Sequence, residues 1–290
     1  MIRKSLITCL CCFIIYSLFL VFFKEGKKTG QYQYQENIIK AERYLYAAKP
    51  YRCVMTGSSL SDKMLVDSLP GMYSLSLPGL HPLDGIHVIE SGKYLPDTVF
   101  IETNFFFGPE DKSFTGHFNS KFRNTLKREL PALLESNQPV GIARYFISSL
   151  FHKEKKAESE RVIKNEISIP QSVFSRLLRG KQEAYQVIDS AAVDSGLSVL
   201  SGAVESLTSR GCKVCFFEMP ISPELEELPM PVYIRQSIEK RFGKMANTGF
   251  IRLPASHDYK TLDGIHLNEY GAREYTRYFK SELKRPGLIK

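Results

Sequence analysis

The chain has 290 residues, 43% of them apolar, and a net charge of +8. That is room for one large domain or two small ones around a core of ordinary size, which excludes a disordered or fibrous chain. Three of the six cysteines (Cys9, Cys11 and Cys12) fall in one apolar run near the N-terminus, so the other three (Cys53, Cys212 and Cys215) imply no disulfide framework.

The first predicted element runs from Ser5 to Phe23, nineteen residues without a charge. At about 1.5 Å per residue this nearly matches a hydrocarbon core of roughly 30 Å. It passes directly into KEGKKTG with no small-residue exit, so it reads as an uncleaved anchor and not as a cleaved signal peptide. Arg3 and Lys4 precede it while Lys24, Lys27 and Lys28 follow, so the positive-inside bias nearly cancels. The bulk of the chain is placed outside the cytoplasm, as for an envelope protein with an N-terminal anchor. Residues 1–30 thus form the anchor. Residues 31–50, polar with spaced aromatics, form a helical spacer.

From residue 51 the pattern changes. YRCVMTG, MYSLSLPG, DTVFIETN, KVCFFEMP and GFIRLP are short apolar runs, each closed by a breaker or a polar cluster, as buried parallel strands are. Helical patterns fill the gaps: DKMLVDSL, LDGIHVIESGKYL and NEYGAREYTRYFKSELKR. Strand alternating with helix predicts a three-layer α/β/α sandwich with a mostly parallel sheet over residues 51–290. The gap between the third and fourth strands is too long for one crossover and predicts a helical insertion at about 109–210. Two helices are expected in it at FNSKFRNTLKRELPALLES and PVGIARYFISSLF, then a mobile connector at HKEKKAESERVIKNE, then one long helix at QEAYQVIDSAAVDSGLSVLSGAVESLTSRG. Between Phe118 and Lys181 thirteen Lys or Arg stand against six Glu. That segment suits an anionic surface such as lipid head groups or acidic glycans. Nothing resembles a nucleic-acid module. Cys212 and Cys215 sit along an apolar strand pattern that points them to opposite faces, so neither a metal nor a cofactor is expected.

In a parallel sheet the ligand site lies beyond the carboxyl ends of the strands. The first strand ends in TGSSLSD, which puts Ser58 and Ser59 on the turn that follows. The second ends in SLPG, where Gly79 can present its backbone N–H. The third ends in ETN, offering the Asn104 amide, and the last is followed by SHDYKTLDGIHLNEYG, with Asp263 and His266 at a helix start. The pentapeptide LDGIH occurs twice, at Leu83–His87 and Leu262–His266. In the first copy, Pro82 and Asp84 make a helix entry with His87 in its first turn, a capping arrangement.

Together these four pieces resemble the blocks of the SGNH, or GDSL-like, hydrolase superfamily, in its order and over nearly the whole domain. The resemblance makes Ser59 the nucleophile within Gly57-Ser58-Ser59-Leu60, with Ser58 where the motif has aspartate. It makes Gly79 the second-block glycine, Asn104 the third-block asparagine, and Asp263 and His266 the acid and base, which selects the second LDGIH copy. The third block departs from G-x-N-D, since Glu102, Thr103, Asn104 and Phe105 stand there, as in membrane-anchored, glycan-associated members. The implied chemistry is acyl transfer: esterase action with water as acceptor, or O-acyl transfer to a sugar hydroxyl. The oxyanion would meet the Ser59 and Gly79 N–H groups and the Asn104 amide. The implied substrate is an acylated carbohydrate or another ester of the cell envelope. Two other readings stand beside it, an inactive glycan-binding scaffold and a lipid-acting esterase.

Overall fold

The computed structural model describes residues 2–22, 32–151, 169–254, 259–285 and 288. The expected connector at 152–166 lies outside the described residues. The chain divides into two compact units, one of residues 1–46 and 116–165, the other of residues 47–115 and 166–290.

In the first unit, helix α1 (Ile2–Phe22) is the apolar run, and residues Ile2–Leu20 are long and apolar enough to cross a membrane. Helix α2 (Gln33–Leu45) fills the predicted spacer and buries Ile38, Ile39, Ala41 and Tyr44 along one face. The Glu42 side chain, 3% exposed, is held by Lys127 at 2.5 Å and by the Glu135 N–H at 2.7 Å. Burial raises its proton affinity, and the Lys127 bond opposes that. Lys127 belongs to α5 (Lys121–Glu129), which stops short of the predicted extent because Pro131 cannot continue it. Short 3₁₀ turns lead on to α6 (Pro139–Phe151).

The second unit is α/β. All five expected strands form: β1 (Cys53–Gly57), β2 (Met72–Ser76), β3 (Thr98–Glu102), β4 (Lys213–Phe217) and β5 (Thr248–Ile251). They make one parallel sheet in the order β2-β1-β3-β4-β5. Its register sets Gly57 beside Ser76 and Glu102 beside Phe217, so the ends of β1, β2, β3 and β4 share one edge. Four consecutive buried residues in β1, β3 and β4 explain why these runs read as apolar without alternation. Among the described residues the remaining helices are α3 (Pro82–Glu90), α4 (Lys112–Thr115), α7 (Gln171–Tyr185), α8 (Ser190–Ser209), α9 (Pro223–Glu226), α10 (Pro229–Phe242) and α11 (Glu269–Glu282). Phe279 of α11 is fully buried and packs edge-on against Phe100 and Phe217, while Phe242 of α10 stacks on Phe216. Neighbouring β4 residues thus serve different helices, as the strand's period of two requires.

Two expectations are corrected here. DKMLVDSL forms no α-helix but the 3₁₀ turns Ser61–Lys63 and Val66–Ser68, because serine hydroxyls bond locally instead: Ser68 Oγ donates to the Leu65 carbonyl at 2.7 Å. The single long helix of 182–211 is two helices, α7 and α8, meeting at 82°. Asp189 makes the break by accepting the Ala192 N–H at 3.0 Å, an N-cap that starts a new helix.

Candidate active site

The sequence places the nucleophile candidate on a very short turn. Gly57 ends β1, and of Gly57, Ser58, Ser59 and Leu60 only Ser59 is not buried. Its Oγ lies 2.9 Å from His266 Nε2, and His266 Nδ1 lies 3.0 Å from Asp263 Oδ2. The other oxygen, Asp263 Oδ1, accepts the backbone N–H groups of Ile265 at 3.2 Å and His266 at 2.9 Å. Burial opposes ionisation of the Asp263 carboxyl, but the His266 bonds outweigh it and hold the carboxyl well below the usual range. The carboxylate therefore fixes the imidazole tautomer with the proton on Nδ1, leaving Nε2 to accept from Ser59.

His266 is not in a helix. Thr261 and Leu267 form an antiparallel bridge, the Leu262 N–H donates to the His266 carbonyl at 2.7 Å, and Gly264 turns the chain at φ 95°. The expected helix start is corrected accordingly: α11 begins only at Glu269, capped by Asn268. A left-handed glycine one residue after Asp263 makes this loop and lets the acid and base face each other across three residues. The first LDGIH copy does other work in α3. Asp84 caps the helix by accepting the His81 N–H at 2.8 Å and also accepts the Asp111 N–H at 2.7 Å. His87 Nδ1 lies 2.9 Å from Glu110.

The predicted donors fall on the same sheet edge. Leu77 to Leu80 form a tight turn in which the Leu80 N–H bonds the Leu77 carbonyl at 3.0 Å and Gly79 has φ 77°, with Pro78 before it. This is the pattern of a type II turn, and its hydrogen bond does not consume the Gly79 N–H. The Asn104 carboxamide is clamped to one backbone residue: Nδ2 donates to the Met219 carbonyl at 2.9 Å and Oδ1 accepts the Met219 N–H at 2.7 Å. An amide carries two N–H bonds, so this clamp leaves one to point elsewhere while fixing its direction.

Several residues that sequence reasoning missed complete the site. Glu102, fully buried at the end of β3, accepts four hydrogen bonds from Ser58 and Ser61, on either side of Ser59. Oε2 takes the Ser58 N–H (2.8 Å), the Ser61 N–H (3.2 Å) and the Ser61 hydroxyl (2.6 Å), and Oε1 takes the Ser58 hydroxyl (2.8 Å). Gly57 carries no side chain where one would collide with Glu102 and Ser61. Ser58 is thus joined to a carboxylate supplied from the neighbouring strand. Lys181 Nζ reaches Asp263 Oδ2 at 3.4 Å, a long contact beside the His266 bond. Burial raises the Tyr185 phenol pKa, and the Asp263 charge adds to that.

A cavity of about 150 Å³ adjoins the site through Asn104 and is otherwise lined largely by Phe105, Tyr185, Ile221, Met230 and Ile234. One wall carries Arg235, which forks onto Glu218 at 2.8 and 2.9 Å. Cys212 and Cys215 are buried free thiols whose pKa values burial pushes up to about 11 and about 12, so both are protonated at neutral pH. Among the described residues no group of His, Cys, Asp and Glu could hold a metal ion.

No protein-family model matches this chain, and a comparison with curated proteins finds no match.

Proposed function

We propose that the protein is a membrane-tethered serine hydrolase or O-acyltransferase of the SGNH type, with a three-layer α/β/α catalytic domain outside the cytoplasm. Its substrate is an ester of a cell-envelope or extracellular carbohydrate. The observation that carries the reading is the continuous chain from Ser59 Oγ through His266 to Asp263, with spacings of 2.9 and 3.0 Å. In the reaction His266 Nε2 takes the Ser59 proton as Oγ attacks the ester carbonyl, and Asp263 balances the imidazolium. The tetrahedral oxyanion meets the Ser59 and Gly79 N–H groups and the second N–H of Asn104; one such donor contributes roughly 3 kcal/mol. Collapse expels the alcohol with the proton from His266 and leaves an acyl-Ser59 ester. Water or a sugar hydroxyl then attacks that ester by the same route in reverse.

The cavity beside Asn104 suits the acyl group. An apolar cavity of about its size holds a six-carbon hydrocarbon, so a short acyl chain fits. A fluorophosphonate probe tests the reading. Ser59 is expected to be labelled in the wild type, and labelling is expected to disappear in Ser59→Ala and to slow greatly in His266→Ala. An unlabelled Ser59 in folded protein would leave the inactive, glycan-binding reading in its place.

A further inference from the structure

The first unit carries an apolar surface that the proposed chemistry does not use. On α6, Val140, Ala143, Phe146 and Ile147 are all exposed, Val140 and Ile147 by 66% and 56%. At 100° per residue these four occupy one continuous arc of the helix, and Gly141, Ile142 and Tyr145 turn the opposite way, with Gly141 and Ile142 buried. The one exposed charge on the helix among its described side chains, Arg144, stands at the edge of that arc. A row of exposed aliphatic and aromatic side chains marks an interaction surface and not ordinary solvated helix.

The same unit indicates what covers it. The Tyr16 hydroxyl of α1 donates to the carbonyl of Asn137, two residues before α6 begins. Tyr16 lies four residues inside Leu20 and seven inside Phe23, where the uncharged run ends. At 1.5 Å per residue that is about 6 to 10 Å along the helix axis. Helices that lie in a membrane surface bury their apolar face about 5–10 Å into the boundary between head groups and acyl chains. The start of α6 is therefore tied to α1 at the depth such a helix occupies.

We propose that α6 lies in the interfacial layer of the bilayer that α1 crosses, with Val140, Phe146 and Ile147 among the acyl chains and Arg144 among the head groups. The first unit then holds the membrane by two elements, a span and a helix at its surface. This inference rests on α1 crossing a membrane, not on the chemistry at Ser59.

The chain contains no tryptophan, so one introduced tryptophan is a clean reporter. Full-length Phe146→Trp, Ile147→Trp and Leu10→Trp would each be reconstituted into phosphatidylcholine vesicles carrying bromine at shallow or deep acyl positions. Leu10, six residues from Tyr16 and so about 9 Å deeper, reports the span itself. The expected result is strongest quenching of Leu10→Trp by deep bromines and of both α6 variants by shallow ones. The α6 emission should also be shifted to the blue of N-acetyltryptophanamide in buffer. If both α6 variants escape quenching and emit like the free amide while Leu10→Trp is quenched, α6 lies in water and the proposal is wrong. If Leu10→Trp escapes as well, the span falls and the proposal with it. Two α6 positions are used so that one poorly folded variant does not decide the outcome.

Discussion

Replacing Glu102 by alanine or by glutamine separates two ways in which a buried carboxylate can hold the turn that carries Ser59. In Glu102→Ala four donors lose their acceptor. The Ser61 hydroxyl has a second partner, Ser76 Oγ at 2.8 Å, and the Ser58 hydroxyl can rotate. The Ser58 and Ser61 backbone N–H groups are fixed, and leaving each unsatisfied costs about 1–3 kcal/mol. With the space left by the missing side chain, the loss is about 3–5 kcal/mol. For a unit of this size that is roughly 6–20 °C in melting temperature, and it is a large part of a typical total stability of about 5–15 kcal/mol. In Glu102→Gln the amide oxygen can occupy the Oε2 position and keep three of the four bonds. Its NH₂ then meets Ser58 Oγ, whose two lone pairs can accept it together with the Leu60 N–H now at 3.2 Å, for a loss of about 1 kcal/mol. Thermal unfolding of the detergent-solubilised full chain, followed by circular dichroism near neutral pH, measures both variants. An alanine variant that melts with the wild type would refute the reasoning, because water would then satisfy the turn. A glutamine variant as damaged as alanine would show that negative charge, and not acceptor count, holds it.

Ser59→Ala and His266→Ala should each remove nearly all turnover of a short-chain p-nitrophenyl ester, and the double variant should be no worse than either single one, as for groups that act as a unit. In the same assay Asp263→Asn should fall steeply while staying folded, because it lets the imidazole adopt the wrong tautomer, whereas His87→Ala should stay near wild type; the reverse order for the two histidines would refute the assignment. Asn104→Ala should cost on the order of a hundredfold in kcat with little change in KM, and an effect confined to KM would remove it from the oxyanion site. Glu226 supplies a pH test, since burial, with the Glu218 charge adding, raises its carboxyl from 4.5 to about 7. A folded-state value above the unfolded one gives stability that is present below about 4.5 and is lost as pH rises through about 7. The melting temperature of Glu226→Gln relative to wild type should therefore rise between pH 5 and pH 8, and a constant difference would count against the raised value.

What could be read from the sequence depended on how local each signal was. The five strands were legible because each is a short apolar run ended by a breaker or a polar cluster, a pattern contained in six to eight residues. The candidate residues Ser59, Gly79, Asn104, Asp263 and His266 are legible as short local pieces, each following a strand end, and that position places them toward one edge of the sheet. Lys181 was not legible, because its partner Asp263 is 82 residues away and a lysine on a basic helix carries no mark. Glu102 did carry one: it is the acid that closes TVFIE, a strand otherwise without charge, and a charge there has to find partners. Those partners lie 41 to 44 residues upstream, on the turn after the first strand, and nothing in either segment names the other. The second LDGIH was misread for a related reason. Both copies begin alike, and only the backbone at Gly264, which no composition reveals, turns one into a loop while the other stays a helix.

The pairing of Glu42 with Lys127 spans 85 residues and joins the N-terminal helices to a segment that lies beyond the third strand. On a ribosome this imposes an order of events. Helix α1 and α2 emerge first, but the groups that satisfy the Glu42 carboxylate are synthesised only with residues 127 and 135, after β1, β2 and β3 have appeared. At about 5–20 residues per second, α2 waits roughly 5–18 s for them. During that interval its apolar face and its acid lack their native partners, the condition under which a partly made chain is prone to aggregate.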